Sequence, residues 1–332
     1  MDELRVREKG GNLMMQSFWD TLPKPFFVLA PMADVTDAAF RRLIAQHGKP
    51  HAMWTEFVSA DGLLSAGHDA LVKDLQYDET ERPIVAQLFT SKPEHMERAA
   101  RMIQDMGFDG FDINMGCPDK AIEKQGCGAA LMKDYKLAQE LIAAAKQGAP
   151  KLPVSVKTRI GYNKNELTTW LPALLEAEPA AVTIHWRTRK EMSKVPAHWE
   201  IASDAVRIRD EFGSKTLILG NGDVLSVEDA QLKVDETGVD GVMIGKGIFG
   251  NPWLFSGRVP TVSEKLGVLI EHCQLFEELV SHKKFHIMKK HFKAYVAGWD
   301  GAKELRMQLM GAETADQVKG IIAQSGLTEP LC

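Results

Sequence analysis

A cysteine held between glycine and proline, in Asn114-Met115-Gly116-Cys117-Pro118, is the side chain whose setting most suggests reactivity. A thiol on such a turn can act as an acid or as a nucleophile. Lys157, with Arg159 just after it, supplies a fixed cation, and His185, with Arg187 just after it, supplies a hydrogen-bond donor. Gln87 and Asn114 each offer both a donor and an acceptor. Gly220-Asn221-Gly222-Asp223 and Gly245-Lys246-Gly247 are turns whose glycines let backbone N–H groups come close to a phosphate. Together these residues suit a planar heterocycle with amide edges that gains negative charge when reduced. FMN fits, with its phosphate on the two glycine turns, Lys157 against the N1/O2 edge and Gln87 near the N3/O4 side. Composition and spacing do not single out flavin, and a phosphate-binding isomerase or lyase without flavin stays open. Cys127, ten residues after Cys117, matches no common zinc or iron–sulfur spacing, so no metal is expected. Cys273 reads as packing and Cys332 as incidental.

These residues need elements to hold them. Eight short apolar or β-branched runs recur: Phe26–Ala30, Ala52–Glu56, Pro83–Phe89, Gly110–Asn114, Val154–Thr158, Ala181–His185, Thr216–Asn221 and Gly241–Gly245. Between them lie stretches of helical period, such as Glu94–Met106, Tyr135–Lys146, Trp199–Phe212 and Val227–Glu236. Alternating strands and helices predict a parallel sheet, and nearly continuous apolar strands predict one buried on both faces. Eight units predict an α/β fold, a (β/α)8 TIM barrel. No Gly-x-Gly-x-x-Gly follows the first strand, which weakens the doubly wound alternative. In such a barrel, chemistry collects at the C-terminal ends of the strands. The runs end there in Pro31-Met32, Glu56, Gln87, Asn114, Lys157, His185, Asn221 and Lys246, a polar series that packing alone does not explain.

The chain of 332 residues is 45% apolar and 26% charged, which excludes bulk disorder. A formal charge of −5 excludes nucleic-acid binding by bulk positive charge, though not by a local patch. Four cysteines make no disulfide framework, so a reducing cytoplasm is expected. No uncharged apolar run approaches the roughly 18–20 residues that cross a bilayer, and the N-terminus lacks the apolar core of a signal peptide. Residues 1–17 read as a loose leader, in which Met14 or Met15 could serve as the start.

After Pro260 the alternation stops. Ser263–His282, Lys283–Ala297, Lys303–Met310 and Ala315–Ser325 read as helices, an all-α appendix. Between Ser281 and Met307 lie seven basic residues, Lys283, Lys284, Lys289, Lys290, Lys293, Lys303 and Arg306, against two acids. Phe285, Phe292, Tyr295 and Trp299 are interleaved with them. Lys289, Lys293 and Val296 fall near one helical stripe, which predicts an outward basic ridge suited to phosphate contact.

The ordered segments LAPMADVTDAAFR (29–41), VAQLF (85–89), DINMGCPDKAIEKQGCGAALMKD (112–134), VSVKTRIG (154–161), IHWRTR (184–189), LGNGDV (219–224), GVMIGKGIFGNPWLF (241–255) and KKHFKAYVAGWDGAKELR (289–306) resemble the tRNA-dihydrouridine synthase family. The resemblance runs from the first strand nearly to the end. It implies an FMN-holding barrel with a C-terminal helical domain, and reduction of the C5–C6 double bond of tRNA uridines with NADPH as electron source. Carried over by motif, Cys117 is the acid that protonates C5. Asn114, Lys157, Arg159 and Arg187 then line the substrate site, and Lys289, Lys290, Lys293 and Arg306 meet tRNA. Pro31, Met32, Gln87, Lys157, His185, Asn221, Gly222, Asp223, Gly245 and Lys246 hold FMN. With the loose leader (1–17) set apart, the chain divides into a catalytic barrel (18–258) and a tRNA-binding helical domain (259–332); with no clear dimer patch in the sequence, a monomer is expected. Three positions depart from the family: Lys246 where arginine is common, Trp186 where a small residue is common, and Cys127. The residues alone leave two other readings: a flavin barrel that reduces a free pyrimidine or an enone, and a catalytically dead barrel that chaperones RNA.

Overall fold

A computed structural model describes residues 17–327. All of the expected leader except Ser17, together with Cys332, lies outside the described residues. The strands are β1 (Phe26–Leu29), β2 (Met53–Ser59), β3 (Ile84–Phe89), β4 (Gly110–Asn114), β5 (Val154–Arg159), β6 (Ala181–His185), β7 (Leu217–Asn221) and β8 (Gly241–Ile244). Each is parallel to its neighbours, in the order β1-β8-β7-β6-β5-β4-β3-β2. A parallel bridge between Val28 and Ala52 joins the two ends, with Leu29 N donating to Ala52 O at 3.1 Å. The sheet is therefore a closed barrel, as the eight runs predict.

Two apolar cores result. The larger lies between strands and surrounding helices. The smaller fills the barrel's N-terminal end, where Phe26, Val28, Trp54, Val85, Leu219 and Met243 meet Trp19. Trp19 comes from a 3-10 turn, Phe18–Thr21, capped by Ser17. Its ring lies 5.2 Å from Phe26 and 6.0 Å from Trp54, so it plugs the end away from the strand C-termini. Polar side chains are left to fill the other end.

The strand limits differ from expectation most at β2, which runs on to Ser59 instead of ending at Glu56. Its register with β3 shifts between Trp54 and Phe57. There Thr55 Oγ1 donates to Glu56 O at 2.8 Å and accepts from Gln87 N at 3.2 Å, replacing a regular ladder bond. A bulge of this kind re-aims a side chain, here Glu56. The stretch expected as one helix, Trp199–Phe212, is a 3-10 turn followed by a helix over Ala202–Phe212.

Beyond β8 the chain forms helices at Val262–Leu279, Met288–Tyr295, Ala302–Leu309 and Ala315–Gln324. Thr261 opens the first with a reciprocal capping box to Glu264. This helix packs on the barrel helix Ala38–His47, and the tail's apolar residues join the barrel's larger core without a break. The first tail helix ends at Leu279 instead of His282. His282 instead meets Asp74 of the barrel at 2.9 Å, and Lys283 Nζ meets Glu56 at 2.7 Å and Asp74 at 3.0 Å.

Candidate active site

Strand register brings the polar strand ends side by side. Gln87 is level with Asp112, Asn114 with Lys157, Arg159 with His185, and His185 with Asn221. Paired residues of neighbouring strands face the same side, so these side chains converge in the barrel mouth.

On the floor lies a buried chain of hydrogen bonds. Gln87 Nε2 donates to Asp112 Oδ2 at 2.5 Å, and Ser155 Oγ donates to Asp112 Oδ1 at 2.5 Å. Burial pushes the Asp112 carboxyl up to about 6. Gln87 Oε1 accepts from Asn114 Nδ2 at 3.0 Å, which fixes the Asn114 amide so that its Oδ1 faces the next turn. That oxygen accepts from Gly116 N at 3.2 Å and Cys117 N at 2.9 Å. A strand-end amide thus shapes the turn carrying the thiol. From the other side, Arg159 Nε donates to Gly116 O at 2.7 Å. Gly128, at φ +61°, lies beneath Cys117: a Cβ there would meet Cys117 O at 2.7 Å. The thiol is half-buried, and burial pushes it above the ordinary thiol range, so it stays protonated at neutral pH.

Beside this turn opens a cleft of about 190 Å³. Pro31 and Met32 line it after β1, and Lys157 projects from β5. His185 and Arg187 come from the end of β6, and Asn221, Gly222 and Asp223 from the end of β7. Gly245 and Lys246 follow β8. Gln87 does not line this cleft; it belongs to the floor. Lys157 Nζ donates to Asn221 Oδ1 at 3.2 Å, while Asn221 Nδ2 is held by Met243 O at 2.7 Å. An ammonium has three protons to donate. Burial, then the nearby Arg159, pulls Lys157 down to about 8. Burial, reinforced by the surrounding cations Arg159, Lys157, Arg187 and Lys246, holds His185 neutral, well below its usual range. Its Nε2 lies 3.0 Å from Arg187 Nη1, which can only donate, so Nε2 is the acceptor. Arg187 also pairs with the Asp223 carboxylate, and that contact holds Asp223 below the usual carboxylate range. At Gly222, φ +125°, a Cβ would meet His185 Cδ2 and Ala197 Cβ at 2.9 Å. The cleft is a cationic slot with one engaged carboxylate, a bare backbone turn, and a buried ammonium with protons to spare. That donor set fits a planar, anionic group carrying a phosphate.

The chain matches the dihydrouridine synthase (Dus) family over residues 28–327. It is a member of the dihydrouridine synthase family. Among relatives, it is 40% identical to a probable tRNA-dihydrouridine synthase 2 of Bacillus subtilis (strain 168), over 93% of this chain and 96% of that one. It is also 40% identical to a probable tRNA-dihydrouridine synthase of Staphylococcus aureus (strain MRSA252), over 93% and 95%. Among solved structures, histamine dehydrogenase from Rhizobium sp. 4-9 shares the fold, with a TM-score of 0.54 at 11% identity over 75% of this chain and 48% of that one.

Several expected site residues of this dihydrouridine synthase have internal partners. Besides Gly116 O, Arg159 serves Thr188 O at 3.3 Å and Met192 O at 3.2 Å through Nη1. Burial pulls its guanidinium down to about 10. Trp186 is wholly buried against Trp199, 5.8 Å away, over the space left by Gly220, so it does not narrow the mouth. Cys127 is buried, its thiol 3.5 Å from Gln125 O. Asp112 and Ser155 were not expected at the site. Their signal is a polar side chain at an inward position of a buried strand, one turn of pleat below the strand end.

The tail's charge is partly spent. Lys283 is enclosed by Glu56, Asp74 and Asp34, and Lys290 Nζ lies 4.0 Å from Asp34. Arg306 is half-buried and donates to Val296 O at 2.9 Å. Val296 is buried just past the helix end, so the expected stripe is not a ridge along its whole length. Phe292 and Tyr295 belong to the core. Lys293 is exposed and Lys289 half-exposed. Among the described residues, no helix is long and apolar enough to cross a membrane.

Proposed function

We propose that this protein is an FMN-dependent tRNA-dihydrouridine synthase with NADPH as its electron source. The observation that carries the reading is the juxtaposition at the barrel mouth: a protonated Cys117 on a turn fixed by Asn114 and Arg159, next to the cationic cleft. Curated relatives named as probable tRNA-dihydrouridine synthases match over nearly their whole length.

Lys246 and the N–H groups of the Gly222 and Gly245 turns are suited to the phosphate, and Lys157 to the ring edge that gains charge. Gln87 and Asn114 stand below as the amide partners. When bound, FMN supplies the electron pair that reduces the C5–C6 bond of uracil. Cys117 gives its proton to C5, where negative charge develops as C6 is reduced. A thiol held above its ordinary range is in the donating form at neutral pH. A uridine in folded tRNA must first leave its stack to reach this mouth, at a cost of a few kcal/mol. In this reading residues 18–258 do the chemistry. Residues 259–332 hold tRNA through Lys289, Lys290, Lys293 and Arg306, and the protein works as a monomer in the cytoplasm.

The test is a visible absorption spectrum of the purified protein before and after anaerobic NADPH, followed by unmodified tRNA. A flavin band that bleaches with NADPH and returns with tRNA is expected. A colourless protein that takes up no added FMN would overturn the reading.

A further inference from the structure

The turn after β6 borders the mouth through Ser193 and carries an exposed apolar side chain, Met192. Arg189 pairs with the Glu123 carboxylate, and its N–H bonds Gly161 O at 2.9 Å. Lys190 N bonds Tyr162 O at 3.0 Å, so the turn is tied to the loops after β4 and β5. Thr188 and Glu191 exchange bonds, Thr188 N to Glu191 Oε2 at 2.8 Å and Glu191 N to Thr188 Oγ1 at 3.2 Å. Met192 N bonds Arg189 O at 3.2 Å, and Met192 O receives Arg159 Nη1.

At the tip of this braced turn Met192 has φ +55° and is 41% exposed. That conformation suits glycine or asparagine, and an L side chain there is strained by about 1 kcal/mol. A large apolar side chain is thus presented to solvent at a backbone position that does not favour it. The next residue, Ser193, lines the cleft. The guanidinium that meets Met192 O is the one that grips Gly116 O, so a single side chain ties the turn to the Cys117 loop. Lys190 and Lys194 flank the tip; both are exposed, and neither has an ion-pair partner among the described residues. The turn's acid, Glu191, is occupied by Thr188 and His198.

We infer that the Arg189–Lys194 turn is an RNA contact, in which Met192 packs on the base stack that the reacting uridine vacates and Lys190 and Lys194 meet the flanking phosphates. The inference rests on the tRNA reading above. Apolar wedges hold nucleic acids unstacked in this way, and the side chain then offsets part of the cost of extruding the uridine. The wedge matters only where there is a stack to open.

The experiment compares two substrates, unmodified tRNA and a short unstructured oligoribonucleotide containing uridine, with wild type, Met192→Ala and Lys190→Ala/Lys194→Ala. Flavin content and melting temperature check that each variant folds. Met192→Ala is expected to lose about tenfold in kcat/KM on tRNA and little on the oligoribonucleotide. The double lysine variant is expected to lower the slope of log KM for tRNA against log salt by about 1.5. Equal losses of Met192→Ala on both substrates, or no loss on tRNA, would overturn the wedge. An unchanged salt slope would overturn the phosphate contacts. If wild type reduces neither RNA, the tRNA reading fails first.

Discussion

Arg159 Nε reaches the carbonyl of Gly116 at 2.7 Å, so a cation that the chain order sets beside the substrate is spent on the backbone of the Cys117 turn. Lysine cannot serve Gly116, Thr188 and Met192 with one planar fork. Arg159→Lys is expected to keep its flavin while kcat for uridine reduction falls about 10–100-fold, a misplacement effect. Single-turnover rates with saturating tRNA measure it.

The Cys117 acid has a pH signature. Because burial raises the thiol, its protonated form persists above the ordinary range of about 8.5. The rate of uridine reduction at saturating tRNA should hold from pH 7 through the range in which a free thiol ionises and fall only beyond that. Cys117→Ala should keep flavin and lose the activity. An alkaline limb centred near pH 7 in wild type would contradict the assignment.

Lys157 bears on affinity rather than on proton transfer. In the ligand-free protein its charge is lost as pH rises through about 8. A bound anion favours the charged form, so FMN binding should weaken above pH 8, by at most about tenfold per unit. Lys157→Met should bind more weakly at pH 7 and show no such decline. Fluorescence titration of apoprotein with FMN between pH 6.5 and 9.5 follows both.

Where the first two tail helices meet, His272 and His291 are wholly buried, with ring centroids 4.5 Å apart and no partner for either pair of nitrogens among the described residues. Burial keeps both neutral, His291 down to about 3 and His272 well below its usual value. Their contribution to stability is therefore complete above the unfolded pKa of about 6.5 and is lost as pH falls below it. His291 lies between Phe40 and Phe249 rings, at 5.0 and 5.8 Å, a setting that accepts phenylalanine. His291→Phe should lose about 2 kcal/mol less than wild type between pH 7 and pH 5, as read from urea unfolding.

The tail lysines should separate by role. Replacing Lys289, Lys290 and Lys293 with alanine should weaken tRNA binding and lower its salt slope by about 2–3. Lys283→Ala should instead lower the melting temperature and leave the salt slope unchanged, because its ammonium faces Glu56 and Asp74.

Much of the fold was legible because the barrel writes itself locally. The limits of β4 and β6, Gly110–Asn114 and Ala181–His185, follow from an apolar run closed by a polar residue. The β2 bulge was not legible, since it depends on Thr55 meeting Gln87 on another strand. Glycine turns and strand-end polar residues pointed to the cleft for the same local reason. Counting charge along the tail overstated the basic patch, because the carboxylates that neutralise Lys283 lie more than 200 residues away in sequence. The internal partners of Arg159 and Arg187 were not legible either: they are backbone carbonyls and a carboxylate that only the folded chain brings near.

The enclosure of Lys283 limits how this chain can be recombined with its relatives. Glu56 accepts from Asp34 N as well as from Lys283, and Asp34 follows Met32 of the cleft by two residues. A helical appendix with no cation at the place of Lys283 would leave Glu56 and Asp74 without their shared partner, beside the loop that carries Met32. A chimera joined by a single cut after β8 therefore keeps this cluster only where the incoming tail restores that cation.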